Sequence, residues 1–84
     1  MRLDKFLKVS RLIKRRTVAN DACDTSRVSV NGKAAKASYN VKLGDEITIV
    51  FGSKSVTVRV LDIKDTTKKA ESHGMYEVIS ETNA

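Results

Sequence analysis

Seven cationic side chains stand within the first sixteen residues, namely Arg2, Lys5, Lys8, Arg11, Lys14, Arg15 and Arg16, against Asp4 as the one acid. That segment alone matches the net charge of +6 on the 84-residue chain, because the nine basic and nine acidic side chains that follow it cancel. Guanidinium forks bond phosphate oxygens directionally, and lysines add mobile point charges beside them. Positive charge concentrated on one part of a small module is an electrostatic footprint for a polyanion, and a phosphodiester backbone is the commonest such partner. Arg15 and Arg16 follow Lys14 where a second helix is predicted to start, and the outward N–H groups of a helix start also favour anions. The same charges suit a plain solvated helix face, with Arg16 paired to Asp4 or Asp21 on a neighbouring turn.

Other chemistries find little to work with. Hydrolysis or group transfer needs a nucleophile, a base and an orienting group held together, and the chain offers one imidazole, His73, in a polar stretch with no motif around it. The adjacent carboxylates Asp45 and Glu46 follow Gly44 at a predicted turn, where capping is the usual role. Gly32, Gly44, Gly52 and Gly74 are isolated, so no glycine-rich phosphate cradle is present. The lone Cys23 forms no internal disulfide and, with a single His, no structural zinc site, so it is expected as a core filler. No enzyme activity, cofactor or metal is expected. Phe6 and Phe51 lie on apolar periods and are assigned to the core, and Tyr39 is expected as a surface tyrosine. Without an aromatic platform, recognition should address the backbone and shape of structured RNA more than a single-stranded sequence.

The cations need elements to position them. With 84 residues, 40% of them apolar, the chain suffices for one small domain and leaves a bilobed enzyme out of reach. It contains no proline, repeat or low-complexity tract, no apolar run long enough to cross a bilayer and no signal-type segment, so a soluble cytoplasmic protein is expected. Leu3, Phe6 and Leu7 fall on one side of a first helix, with Arg2, Lys5 and Lys8 flanking that side. A second helix follows the basic cluster and is predicted to bury Val18, Ala19, Ala22 and Cys23, leaving Asn20, Asp21 and Asp24 outside. Beyond Ser26 the period becomes two. Val28 and Val30 lead into Asn31-Gly32, a hairpin turn that returns the chain through Lys33 to Ala37. After the Gly44-Asp45 turn, strands are predicted over 47–51 and, past Gly52-Ser53, over 55–63. A polar loop over 64–74 and a closing strand over 75–79 complete an α+β domain with antiparallel pairing.

RLDKFL at 2–7, Arg16, Ala19, RVSVNGK at 27–33 and VKLGDEI at 41–47 together resemble the S4 RNA-binding domain. These matches stand in order and in register over the first 47 residues. The resemblance implies two N-terminal helices packed on a small, mainly antiparallel sheet of four to five strands, the αL motif of that family. It divides the single S4-like domain 1–84 into a core motif 1–47 and a remainder of strands and polar loop, 48–84. It implies RNA contact by Arg2, Lys5 and Arg16, extended by Lys8, Arg11, Lys14 and Arg15, with Lys33 and Lys36 beside the hairpin as secondary candidates. Ser26 stands where the family often has glycine, which leaves the end of the second helix to be determined.

The start MRLDKFLKVSRLIKRR, the later KDTTKK at 64–69 and the overall length look like the short stand-alone bacterial S4 proteins of the RqcP type, which act in ribosome-associated quality control. The likeness implies a monomer that binds rRNA of the large ribosomal subunit and peptidyl-tRNA, with a tailing factor on the same subunit, and supports C-terminal tailing of stalled chains. A related heat-shock S4 protein normally carries a longer basic tail, whereas this sequence ends in GMYEVISETNA. The rivals are a heat-shock or assembly-type factor with no tailing role, and a protein adapter whose charges serve solubility. Membrane attachment through the first helix conflicts with the use of Leu3, Phe6 and Leu7 in a core.

Overall fold

A computed structural model describes residues 1–63 and 74–83. The loop expected over 64–74, apart from Gly74, and with it His73, lies outside the described residues. Two helices, α1 (Leu3–Val9) and α2 (Arg16–Asp24), precede five strands: β1 (Val28–Val30), β2 (Lys33–Ala34), β3 (Glu46–Phe51), β4 (Lys54–Val60) and β5 (Tyr76–Asn83). The strands form one antiparallel sheet in the order β2-β1-β3-β4-β5. The expected α+β class, helix pair and antiparallel sheet are all present.

The core forms where the helix and strand periods meet. Leu3, Phe6 and Leu7 of α1 and Ala19, Ala22 and Cys23 of α2 are buried together with Val28, Val30, Ile47, Ile49, Val56, Val58, Val60 and Met75. Each fully buried aliphatic or Phe side chain contributes about 1.5–3 kcal/mol, so this face holds the helices to the sheet. The small residues of α2 let it approach α1 closely, as their spacing suggested.

Two side chains assigned to the core are not in it. Val18 is 50% exposed, because it sits on the flank of α2 rather than at the centre of the Ala19–Cys23 stripe. Phe51 is 43% exposed: it pairs with Lys54 at the tip of the β3–β4 hairpin, at the end of the apolar period it shares with Ile47 and Ile49. Strand lengths also differ. The return of the first hairpin pairs only over Lys33–Ala34, and β4 stops at Val60 rather than residue 63. The closing strand runs to Asn83, with a bulge opposite Thr57/Val58. Pairing with β4, which no local pattern encodes, sets that length.

The turns follow from glycine and asparagine. Asn31 (φ 52°) and Gly32 (φ 85°) both adopt the left-handed region that a two-residue hairpin between Val30 and Lys33 demands. At the end of α2, the Ser26 N–H donates to the Cys23 carbonyl (3.1 Å) and the Arg27 N–H to the Ala22 carbonyl (2.8 Å). This is a Schellman closure, with Ser26 at φ 60° where glycine is usual. The helix end left open by the sequence is therefore the glycine-type end, adopted by a serine at a steric cost. Ser26→Gly should stabilise the fold by about 0.5–1 kcal/mol and raise Tm by about 2–8 °C in thermal unfolding followed by circular dichroism. A lowered Tm would show that the Ser26 side chain contributes more than its backbone strain costs.

Candidate nucleic-acid interface

Residues 37–41 run alongside the N-terminus and prepare the first part of the site. The Leu3 N–H donates to the Tyr39 carbonyl (2.8 Å), the Asp4 N–H to the Ala37 carbonyl (3.2 Å), and the terminal ammonium to Asn40 Oδ1 (2.8 Å). The Lys5 N–H donates to Asp4 Oδ1 at 2.8 Å, so the first turn of α1 already has its acceptors. At α2 no side chain caps the first turn, and the residue before it, Arg15, is extended. The open N–H groups there add partial positive charge beside Arg15 and Arg16.

Asp4 is the centre of the arrangement. Its side chain is 4% exposed, and it receives Arg2 through Nε (3.2 Å) and Nη2 (3.4 Å) and Arg16 through Nε (3.4 Å) and Nη2 (3.5 Å). Asn20 Nδ2 completes the set at 3.4 Å. Burial by itself raises the Asp4 pKa; the hydrogen bonds from Arg2, Arg16, Asn20 and the Lys5 N–H outweigh it and hold the carboxyl below the usual carboxylate range. Two cations on one anion leave one net positive charge. The separations exceed the tight range of charge-assisted bonds, so Asp4 orients the guanidinium groups without neutralising them both. Their side chains remain 51% and 48% exposed, and each arginine keeps about three of its five N–H donors for another acceptor.

Of the two ion-pair partners considered for Arg16, the structure selects Asp4 and not Asp21. Arg2 and Lys36 line one open groove of about 590 Å³ between α2 and residues 34–38. Lys36 also lines a second groove, of about 700 Å³, with Lys33 and Tyr39. Arg16 lines a third beside Asn20 and Thr17. The structure thus brings Arg2, Arg16 and Lys36 together and continues to Lys33. Lys5 is partly buried on α1, Lys8 is exposed at the end of that helix, and Arg11, Lys14 and Arg15 are exposed in the connector. Among the described residues no acid pairs with Lys8, Arg11, Lys14 or Arg15.

Three features escaped the sequence reading. Helical periodicity puts Asn20 outside the buried face, although its amide is part of the Asp4 set. Tyr39 is not a free surface tyrosine: its hydroxyl donates to Asp45 Oδ2 at 2.7 Å, and that hydrogen bond raises its pKa. Asp45, buried like Asp4, also accepts the Lys42 N–H (2.9 Å) and Asn31 Nδ2 (3.1 Å). These bonds outweigh burial and lower its pKa, so it ties the hairpin turn to the segment carrying Tyr39. Arg11, thirdly, holds φ 65°, a left-handed conformation rare for arginine. Cys23, expected as filler, is buried, and burial with the charges of Asp4 and Asp24 pushes its thiol up to about 11. It stays protonated and unreactive at neutral pH.

The segment that carries this geometry matches a known family: the S4 domain model aligns with residues 1–47. The chain belongs to the S4 domain family. It is similar to proteins named RQC P-site tRNA stabilizing factor, one from Bacillus subtilis (62% identical over 81 residues, covering 96% of this chain and 94% of that one). A second, from Streptococcus pneumoniae, is 57% identical over 82 residues, covering 98% and 93%. Among solved structures, trimeric Heat Shock Protein 15 of Vibrio cholerae superposes with a TM-score of 0.88 at 31% identity, covering 95% of this chain and 82% of that one. The S4 match spans Arg2, Asp4, Arg16 and Asn20, so the Asp4 set lies wholly inside the family's segment.

Asp4→Asn should cost about 1–3 kcal/mol, since it removes the charge from a buried acceptor of several donors. The Asp4 pKa is depressed in the fold, so its contribution is complete above the ordinary carboxylate range and disappears as the pH falls through and below it. Urea unfolding at neutral and acid pH should show a smaller acid loss for Asp4→Asn than for the unchanged chain, and an identical loss would remove Asp4 as a source. Arg11→Gly should raise Tm by releasing the left-handed strain. If Arg11 meets a phosphate, RNA affinity should fall in the same variant.

Proposed function

We propose that this S4 protein is a non-enzymatic, cytoplasmic RNA-binding factor that acts on obstructed large ribosomal subunits. It holds rRNA and peptidyl-tRNA together and supports C-terminal tailing of the stalled nascent chain in ribosome-associated quality control. The observation that carries this function is the Arg2–Asp4–Arg16 set, two half-exposed guanidinium groups fixed by a buried carboxylate within the S4 segment. The names borne by the Bacillus subtilis and Streptococcus pneumoniae relatives support the ribosomal setting.

The physical basis is backbone recognition. Preoriented guanidinium groups bond phosphate oxygens with little loss of side-chain freedom, because Asp4 has already restricted them. Arg2, Arg16, Lys36 and Lys33 form one run of cations along the grooves, and Lys8, Arg11, Lys14 and Arg15 form another around the helix connector. Lys5 lies on α1 beside the second run. A small monomer with two cationic runs suits a junction between two RNAs, as rRNA and a peptidyl-site tRNA provide. Binding of this kind reads shape and phosphate spacing in A-form RNA rather than base sequence.

Purified protein should co-sediment with large subunits carrying peptidyl-tRNA and much less with empty ones. Protein that stays at the top of the gradient with both, or binds both equally, would refute the role. With four to six phosphates neutralised, log affinity should fall against log salt with a slope of about −4 to −5. Arg16→Ala should make that slope shallower by about 0.7–0.9; an unchanged slope removes Arg16 from the contact.

A further inference from the structure

The groove of about 700 Å³ along residues 30–39 differs from the rest of the cationic surface. Two cations line it, Lys33 and Lys36, and no carboxylate does; among the described residues no acid pairs with either lysine. Val30 and Ala35 give it an apolar wall, and Tyr39 adds an aromatic ring. That side chain is anchored. It packs, partly buried, against the hydrophobic core, and its hydroxyl donates to Asp45 Oδ2 at 2.7 Å. Its backbone is held as well, by the Tyr39 N–H donating to the Lys36 carbonyl (3.0 Å) and by the Leu3 N–H donating to the Tyr39 carbonyl (2.8 Å). Asp45 is 7% exposed, has both oxygens engaged by Asn31, Tyr39 and the Lys42 N–H, and does not line the groove.

These features select one kind of occupant. Charge of a single sign selects an anion. An apolar wall with an immobilised ring selects an anion that carries a flat apolar part beside its charge. A nucleotide has both, and the volume lies within the roughly 300–1,000 Å³ of small-molecule clefts. Stacked neighbours cover the faces of a base inside a duplex, so the base must be unpaired, in a bulge, a loop or an end. Inorganic phosphate would use the lysines and leave the ring idle, and an acidic residue of a peptide supplies charge with no flat face. The groove also runs on into the one that Arg2 lines, sharing Lys36 and Ser38 with it, so a strand whose phosphates follow Arg2 continues directly past Tyr39.

We propose that Tyr39 stacks one unpaired base of the bound RNA in this groove, with Lys33 and Lys36 on the flanking phosphates. This deepens the RNA-binding function proposed above and rests on it. Stacking accepts any base, so the contact adds an extruded nucleotide to the recognised shape without reading sequence. The test measures the affinity of the full chain for three RNA hairpins: one fully paired, one with a single-nucleotide bulge, and one with the same bulge made abasic, ribose and phosphate retained. The unchanged protein should bind the bulged hairpin about tenfold more tightly than the abasic one. Tyr39→Leu should abolish that preference. Tyr39→Phe loses the same bond to Asp45 but keeps the ring, and should retain most of it. Lys33→Gln/Lys36→Gln should weaken the bulged and abasic hairpins alike. If Tyr39→Leu does not fold, Ala34→Gln, at an exposed position lining the same groove, should obstruct the base and reduce the preference instead. Equal affinity of the unchanged protein for bulged and abasic hairpins overturns the base site, as does a preference that survives both Tyr39→Leu and Ala34→Gln. A glutamate-rich peptide whose binding requires Lys33, Lys36 and Tyr39, with no bulge preference on RNA, overturns it in favour of a protein ligand. Unchanged protein that binds none of the three hairpins overturns the RNA-binding function itself, which separates the two failures.

Discussion

The Asp4 carboxylate, buried among the cations that surround it, ties the start of α1 to the start of α2. A buried anion is unfavourable unless it is paired and hydrogen-bonded, and Asp4 is both, with two guanidinium groups, the Asn20 amide and the Lys5 N–H around it. The same contacts that make the anion tolerable restrict Arg2 and Arg16. Their outer N–H groups then face solvent from fixed positions, as a phosphate-binding surface requires. In the proposed function, structural and binding roles are carried by one set of atoms.

Asp45 does the corresponding work at the hairpin. By accepting from Asn31, Tyr39 and the Lys42 N–H, it joins the Asn31-Gly32 turn to the segment that pairs with the N-terminus. Lys33 and Lys36 therefore stand on a braced part of the molecule. The left-handed residues Arg11, Ser26 and Asn31 fall at the ends of α1, α2 and β1. Asparagine tolerates that conformation better than most residues; arginine and serine do so less well, and at Arg11 the strain coincides with an exposed cation in the basic segment.

Much of this was legible in the chain. Leu3, Phe6 and Leu7, the alternation of Val28, Val30, Ile47 and Ile49, and the Asn-Gly turn gave the helices, strands and first hairpin, because each depends on local periodicity. Val18 and Phe51 mislead for the same reason: they keep the apolar period, but stay 50% and 43% exposed. The lengths of β2 and β5 depend on partner strands distant in sequence. Arg16 was recognised as a cation, but its choice of Asp4 over Asp21 needed the crossing of two helices.

Residue type and spacing alone determined the sign and location of the charge, the α+β class and the resemblance to S4 domains, since these are properties of order along the chain. Tertiary structure decided which cations converge, which acid orients them, and that Tyr39 is engaged with Asp45. The Arg16–Asp4 and Asn20–Asp4 contacts join residues twelve and sixteen positions apart, and Tyr39 and Asp45, six apart, meet outside any helix or strand period. Such contacts are set by how the buried faces pack, and packing is not written into any local period.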